Sequence, residues 1–358
     1  MTHFNNINKF KKIIKKKCVD SCLFLDKSNI KYFIDFFIEG MVLLINKNAN
    51  AVIFIDSMNY DLIFDKFNKL DIDIIVAKNS PILNVVVKYL LDKNIKFLAF
   101  NSEKMLVNVF NRLKQLLPKV EIISKIDDVL VSDVLYNLRI VKNNKEIDVL
   151  HKVAKKTIKL WKQIKKEILL GMTEKDICIL VDSAISCLGC KNSFSTICAI
   201  AENTAYPHSI PTNRTLKEHE HVLLDFGMIF QGYCSDLTRV LVKGRINKQL
   251  KTFDTFVKKV HDFFVENVKS GIQISSFVKR CEKIFVDNNL SEYILHGLGH
   301  GVGIDIHEKP FVSKSNPEYF KENMIVTIEP GLYKNGLGGI RHENMVLIKK
   351  KGCEILTL

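Results

Sequence analysis

The chain has 358 residues, 47% hydrophobic and 26% charged, with 53 Lys and Arg against 39 Asp and Glu for a net charge of +14. The length predicts two domains with ample core, and the lack of any long apolar run excludes a membrane-spanning segment. The lysines are scattered in a composition heavy in Lys, Asn and Ile, which argues for compositional bias and against a nucleic-acid partner.

The N-terminus, Met1–Cys22, is basic and amphipathic but has no apolar core or small-residue cleavage site, so export is not expected. Its densest basic run, Lys11–Lys17, reads as the solvated face of a first helix. Nine cysteines in a chain with no export signal are expected to be reduced, and the location cytoplasmic. Cys18 and Cys22 read as one helical turn apart. Cys187 and Cys190 form a C-x-x-C at a helix end, where Gly189 serves as the cap and no second pair completes a zinc site.

Across roughly the first 130 residues, β-branched or aromatic runs alternate with helical periods. The runs are Cys22–Leu25, Lys31–Phe36, Val42–Ile45, Ala51–Ile55, Ile72–Val76, Lys96–Phe100 and Val120–Ser124, with helices over Pro81–Lys93 and Glu103–Leu117. This predicts an α/β domain, a sheet with helices packed on it, over 1–130. No clustered acids or histidines give it a catalytic role. A linker is expected over Lys125–Asn144, then a second domain over 140–358.

In that domain Ile147, Leu150, Ala154, Ile158 and Trp161 recur at helical spacing, and Gly171 stops the helix. Thr173 with Asp176 resembles a capping box opening the next helix. Two more helices read at Lys248–Val268 and Ser275–Asn288, and the remaining segments read as strands. Helices and acid-bearing hairpins both come in pairs, which hints at an internally duplicated α+β layout.

The chemistry lies in five residues: Asp225, Asp236, His300, Glu329 and Glu343. If Asp225 faces Asp236 across a hairpin, the turn falls on Phe230-Gln231, a two-residue connection of the commonest kind. Val222-Leu223-Leu224 marks that strand as buried, and a buried carboxylate calls for a cation. Glu329 and Glu343 flank Gly336 at equal distance, so a second hairpin opposes two more acids. Between the hairpins, the glycine-rich stretch from His296 to Glu308 offers His300 as a nitrogen ligand. Four carboxylates around one imidazole repel one another unless metal ions neutralise them. Cys234 is not expected to be a ligand. His219 and His221 read as structural, while His296 stays open between a contact supporting the site and a turn residue.

The segments HGLGHGVGIDIHEKP (296–310), LLDFGMIFQGYCSDLTRV (223–240), TIEPGLY (327–333) and GIRHEN (339–344) resemble the pita-bread metallopeptidase family of Xaa-Pro aminopeptidase, Xaa-Pro dipeptidase (prolidase) and methionine aminopeptidase. Residues 28–33 and 56–60 are similar, more weakly, to the creatinase/prolidase N-terminal domain, which methionine aminopeptidases lack. The resemblance implies that Asp225 chelates one divalent metal ion, that Asp236 and Glu343 bridge two, and that His300 and Glu329 complete the second. It implies that His208 and His307 contact substrate, that Arg341 anchors substrate or orients the site, and that Glu329 shuttles a proton. Mn2+ is the expected ion, with Co2+ or Zn2+ as alternatives. The activity implied is removal of the N-terminal residue from peptides with proline second, with Xaa-Pro dipeptidase as the alternative. A non-catalytic binding protein and a methionine aminopeptidase are lesser readings. Family members are often dimers, which implies a homodimer. Three positions depart from the family pattern. His342 stands where an aliphatic residue is usual, and strand alternation points it away from the metals. Asn344 replaces the commoner aspartate. Phe311 stands where some prolidases carry an arginine for the dipeptide carboxylate, which favours longer peptides.

Overall fold

The computed structural model describes residues 2–16, 18–67 and 72–358, and they divide into two compact units, 1–139 and 140–358. The first opens with helix α1 (Thr2–Lys15), then strand β1 (Ser21–Phe24), α2 (Lys27–Ile34), β2 (Val42–Asn46), β3 (Ala51–Asp56), α3 (Tyr60–Phe67) and β4 (Ile72–Ala77). It continues with α4 (Ile82–Asp92), β5 (Phe97–Phe100), α5 (Val107–Leu116), β6 (Glu121–Ile123), a small hairpin of β7 (Lys125–Ile126) and β8 (Val129–Leu130), and α6 (Val131–Arg139). One mixed sheet, in the order β4-β3-β2-β1-β5-β6, carries the unit. Its inner strands are apolar on both sides because both faces are covered. Leu23, Leu44, Val52 and Phe54 pack with Val86, Leu90 and Leu113 of α4 and α5, while Phe24 meets Phe10 and Phe33, with ring centroids 5.0 to 5.6 Å apart.

Three expectations for this region fail. Lys31–Phe36 is not a strand, because Asp26 accepts a hydrogen bond from Asn29 N (2.9 Å) and caps a helix there, and Asp35 ends it in the left-handed region (φ 55°). The cap and the helical spacing of Ile30, Phe33 and Ile34 override the β-propensity of the aromatics. Cys18 and Cys22 share no helix, since α1 ends at Lys15, Cys18 has φ 41° and Cys22 is in β1. The stretch Lys125–Asn144 is no bare linker, since it holds the β7–β8 hairpin and α6. Of the basic run, Lys17 lies outside the described residues.

The second unit runs α7 (Asn144–Glu167), α8 (Glu174–Cys187), β9 (Lys191–Asn192), β10 (Ile197–Ile200), β11 (Glu220–Phe226), β12 (Met228–Phe230), β13 (Tyr233–Cys234) and β14 (Leu237–Lys243). It then runs α9 (Lys248–Asn267), α10 (Ile274–Val286), β15 (Gly299–Gly301), β16 (Glu308–Val312), β17 (Ile325–Ile328), β18 (Gly331–Lys334), β19 (Gly338–Arg341), β20 (Asn344–Lys349) and β21 (Gly352–Ile355). Asn143 with Glu146 and Thr173 with Asp176 form reciprocal capping boxes at α7 and α8. The cap of α8 is Leu188 and not Gly189, which follows it in the left-handed region at φ 68°. Each helix pair then covers its own core. Leu150, Ile158 and Val181 pack with Leu224 and Phe226, whereas Phe253, Phe264 and Phe277 pack with Val326 and Val346. A helix pair followed by antiparallel strands thus occurs twice in one α+β unit. Among the described residues no helix is long and apolar enough to cross a membrane.

Candidate metal centre

Two hairpins build the site. In the first, β11 pairs with β14 and β12 with β13 in a single register that sets Asp225 opposite Thr238 and Phe230 opposite Tyr233. The turn is therefore Gln231-Gly232, with φ 49° and 80°, and not Phe230-Gln231. Two consecutive positive φ values make a primed turn whose twist suits a hairpin. The slip moves Asp236 two residues along the ladder from its expected place opposite Asp225. Because side chains alternate with period two, a two-residue shift leaves both acids on one face as diagonal neighbours.

The second hairpin keeps the expected register. β17 pairs with β20 (Ile328 opposite Asn344) and β18 with β19 (Gly331 opposite Arg341), and the His342 N–H donates to Pro330 O (3.4 Å) between the two ladders. Continued across that gap, the same register sets Glu329 opposite Glu343, with Gly336 at the tip (φ 75°). His300 enters from β15, between β16 and β17.

The ligand-competent atoms of Asp236, His300 and Glu343 all lie within 4.8 Å of one another. His300 Nε2 is 3.5 Å from Asp236 Oδ2 and 3.6 Å from Glu329 Oε1. Its Nδ1 faces Gly301 O at 3.0 Å, which fixes the ring and turns Nε2 toward the acids. Arg341 reaches Asp225 Oδ2 at 2.6 Å, donates from Nη1 to Tyr333 OH (2.9 Å) and from Nε to Thr238 Oγ1 (3.0 Å), and Thr238 in turn donates to Glu343 Oε2 (2.8 Å). His208 and His307 are exposed and line the same cavity of about 660 Å3, and the His307 ring lies 4.4 Å from that of His300.

The electrostatics match this geometry. Burial, then the charges of Glu343, Asp225 and Glu329, hold the Asp236 carboxyl well above its ordinary range. Burial and the neighbouring acids do the same to Glu343, and burial pushes Glu329 up to about 7. Burial lowers His300 to about 4, so its imidazole is neutral and its Nε2 lone pair is free near neutral pH. Asp225 Oδ1 is buried without a hydrogen-bond partner. An orphaned carboxylate oxygen, three acids whose charged forms burial and neighbouring carboxylates disfavour, and a neutral imidazole form a donor set that divalent cations would complete. The residues present therefore fit a metal pair.

Cys234 points elsewhere, with its Sγ toward Ile304 O (3.3 Å). His221 is buried against Thr204 and Gly339 O, and His219 caps a turn through Arg245 N (3.1 Å). His296 both lines the cavity and hydrogen-bonds Tyr333 OH (2.8 Å), which settles it as a contact supporting the site. His342 turns away to Asp254 (2.6 Å) on α9. Sequence reasoning missed Thr238 and Tyr333. Thr238 could have been found from its place two residues after Asp236 on the same strand face. Tyr333 stands opposite Gly339, where a Cβ would come within 2.4 Å of its ring, so a glycine facing an aromatic was the available signal.

Comparison with known proteins adds family likenesses. The description of metallopeptidase family M24 matches residues 148–350, and that of the Creatinase/Prolidase N-terminal domain matches residues 6–141. The chain is 27% identical to an Xaa-Pro dipeptidase of Pyrococcus furiosus, over 98% of this chain and 97% of that protein. Among solved structures, the prolidase of Pyrococcus horikoshii OT3 is similar at a TM-score of 0.89 and 28% identity, covering 99% of this chain and 98% of that one. An X-Pro aminopeptidase of Thermotoga maritima MSB8 is similar at a TM-score of 0.87 and 25% identity, covering 97% of each chain.

Proposed function

The chain belongs to metallopeptidase family M24 and is a hydrolase, and we propose that it is an Xaa-Pro aminopeptidase, removing the first residue from peptides whose second residue is proline. Relatives on both sides of that reading support the Xaa-Pro bond as the target, since their names include X-Pro aminopeptidase and Xaa-Pro dipeptidase. Preference for longer peptides rests on one observation. Among the described residues lining the cavity, Arg341 is the only arginine or lysine, and it is buried and engaged with Asp225, Tyr333 and Pro207 O. Phe311 stands at the wall, 52% exposed. A dipeptide's carboxylate would meet no free cation there, whereas a longer peptide carries its carboxylate out of the cavity. The alternative is an Xaa-Pro dipeptidase, favoured by the near full-length likeness to the Pyrococcus furiosus protein, with His208 and His307 as donors to the carboxylate. The methionine aminopeptidase reading is disfavoured by the N-terminal domain match.

In this proposal Asp225 would hold one metal ion, Asp236 and Glu343 would contribute to both, and His300 with Glu329 would hold the other. Two bound divalent ions supply Lewis-acid activation of water and of the scissile carbonyl. The protein does the rest. Asp225, pinned by Arg341, and its acidic neighbours line the place where the substrate's free α-amine would lie, which limits cleavage to the first residue. His208 and His307 face the cavity as donors to the developing oxyanion. Glu329 carries the proton that the leaving nitrogen needs, and a proline nitrogen must be protonated to depart. Apolar walls from Phe194, Ile197, Pro207 and Ile306 suit the pyrrolidine ring. Carboxylate-rich ligation favours hard ions, and Mn2+ is our choice. Nine free cysteines support a cytosolic location, and the proposal includes a homodimer, checked by sedimentation.

The test is hydrolysis of a length series, from Xaa-Pro to Xaa-Pro-peptides of five residues, with Mn2+, Co2+ or Zn2+ added. We expect turnover to rise beyond the dipeptide. Cleavage confined to dipeptides would establish the alternative, and no cleavage of any Xaa-Pro bond would reject both.

A further inference from the structure

The loop carrying His307 is built around a buried charge. β15 and β16 pair with a register shift at His300/Gly301 that sets Gly301 opposite Glu308, so residues 302–307 leave the ladder as a loop. His307 and Glu308 are adjacent in the chain yet differ in environment. His307 is exposed in the cavity, whereas Glu308 is 2% exposed. The loop is wrapped on the Glu308 carboxylate. Asp305 N donates to Oε1 (3.0 Å), and a Cβ at Gly303 would come within 2.6 Å of Oε2. Lys142, just ahead of α7, reaches Oε2 from the other side at 3.4 Å, and both side chains of this ion pair are 1–2% exposed. Glu146 stands close by and accepts from Tyr233 OH (3.1 Å). The Cys234 N–H donates to Gly303 O (2.7 Å), which ties the same loop to the strand leading to Asp236.

Such a pair is a poor source of stability. Taking both charges out of water costs about as much as their attraction returns, and an apolar pair of similar size often serves as well. What it provides here is a fixed point directly behind His307, one peptide from the imidazole that faces the reacting bond. We propose that Lys142 and Glu308 are positioning residues, whose ion pair sets the 302–307 loop and thereby aims His307 into the cavity. This rests on the peptidase reading above. A misplacement of about 1 Å can cost about 10²-fold in rate, and that is the effect expected of Lys142→Met.

The experiment is a double-mutant cycle on the Mn2+-loaded full chain, joined to hydrogen exchange on the metal-free protein. Lys142→Met should lower kcat on an Xaa-Pro-peptide about 10²-fold with bound metal unchanged, and Lys142→Arg should restore most of it. In a His307→Ala background, Lys142→Met should cost less than about threefold, because the residue it positions is gone. Amides of Gly303–Glu308 should exchange faster in Lys142→Met while those of α7 keep their protection. Where Lys142→Met does not fold, Glu308→Gln takes its place in the same cycle. Equal losses with and without His307, or unchanged exchange in the loop, would overturn the proposal. An inactive wild-type chain would instead refute the peptidase reading, and the exchange measurement would still decide whether the ion pair sets the loop.

Discussion

The two oxygens of Asp225 meet different fates, and the contrast explains much of the site. Oδ2 is taken by the Arg341 guanidinium at 2.6 Å, while Oδ1 is buried without a protein partner. Arg341 also holds Thr238, which holds Glu343, so one guanidinium sets the facing of acids from both hairpins. Asp236 and Glu343 form one group with His300, their ligand-competent atoms all within 4.8 Å of one another, and are assigned to both ions. Asp236→Ala or Glu343→Ala is therefore expected to abolish turnover and to halve or remove bound metal, as read by elemental analysis of the purified variants. Retained activity in either would contradict the assignment. His307 lies outside that set, on the cavity wall. His307→Ala should keep both ions and lose about 10² to 10³-fold in kcat, the usual cost of removing one oxyanion donor. Loss of metal in that variant would place His307 among the ligands instead.

At the scale of elements, the acids are aimed by hairpin register, and register leaves room for little else. Gly227 lies between β11 and β12, where a Cβ would fall 1.9 Å from Ser235 O across the hairpin. Backbone cannot yield as a flexible side chain does. Gly227→Ala should therefore destabilise the fold by about 2 kcal/mol or more and lower metal occupancy by spreading Asp225 from Asp236; a melting temperature and metal content equal to wild type would refute this. The same elements show what the sequence made legible. Midpoint reasoning placed Glu329 and Glu343 in the observed register because Gly336 marks the tip. It misplaced Asp236 by two residues because it takes the two aspartates to face each other directly, whereas Gln231-Gly232 makes the turn and leaves them diagonal. The face survived the error because two is the strand period. Other misses have separate causes. Asp26 caps a helix where aromatic residues suggested a strand, and α6 hides in a polar stretch that reads as linker. Thr238 and Tyr333 act through Arg341, and their only marks in the chain are the two-residue spacing from Asp236 and the glycine opposite the tyrosine.

For the molecule as a whole, the acid cluster links metal to stability. Glu329 is pushed up to about 7 from an ordinary 4.5, and Asp236 and Glu343 are raised well above theirs, with burial first among the causes. Below the unfolded values both states hold these protons, and nothing is lost. As pH rises past them the unfolded chain releases protons that the folded chain keeps, so the metal-free fold weakens until pH exceeds the folded values. For Glu329 that window runs from about 4.5 to about 7. Between about 4 and 6.5 His296 and His300, both lowered to about 4, act in the opposite sense, so the carboxyls are read above 6.5: chelated protein should lose melting temperature from there to about 7, and added Mn2+ should restore it. A metal-free protein whose stability rises over the same range would contradict this. Residues 1–139 carry none of these acids, and the catalytic proposal rests wholly on residues 140–358. The most direct check on the whole account is anomalous diffraction from crystals grown with Mn2+. Two peaks about 3.5–4 Å apart are expected among Asp225, Asp236, His300, Glu329 and Glu343, with Asp236 and Glu343 touching both. Peaks elsewhere, or none among these five side chains, would contradict it.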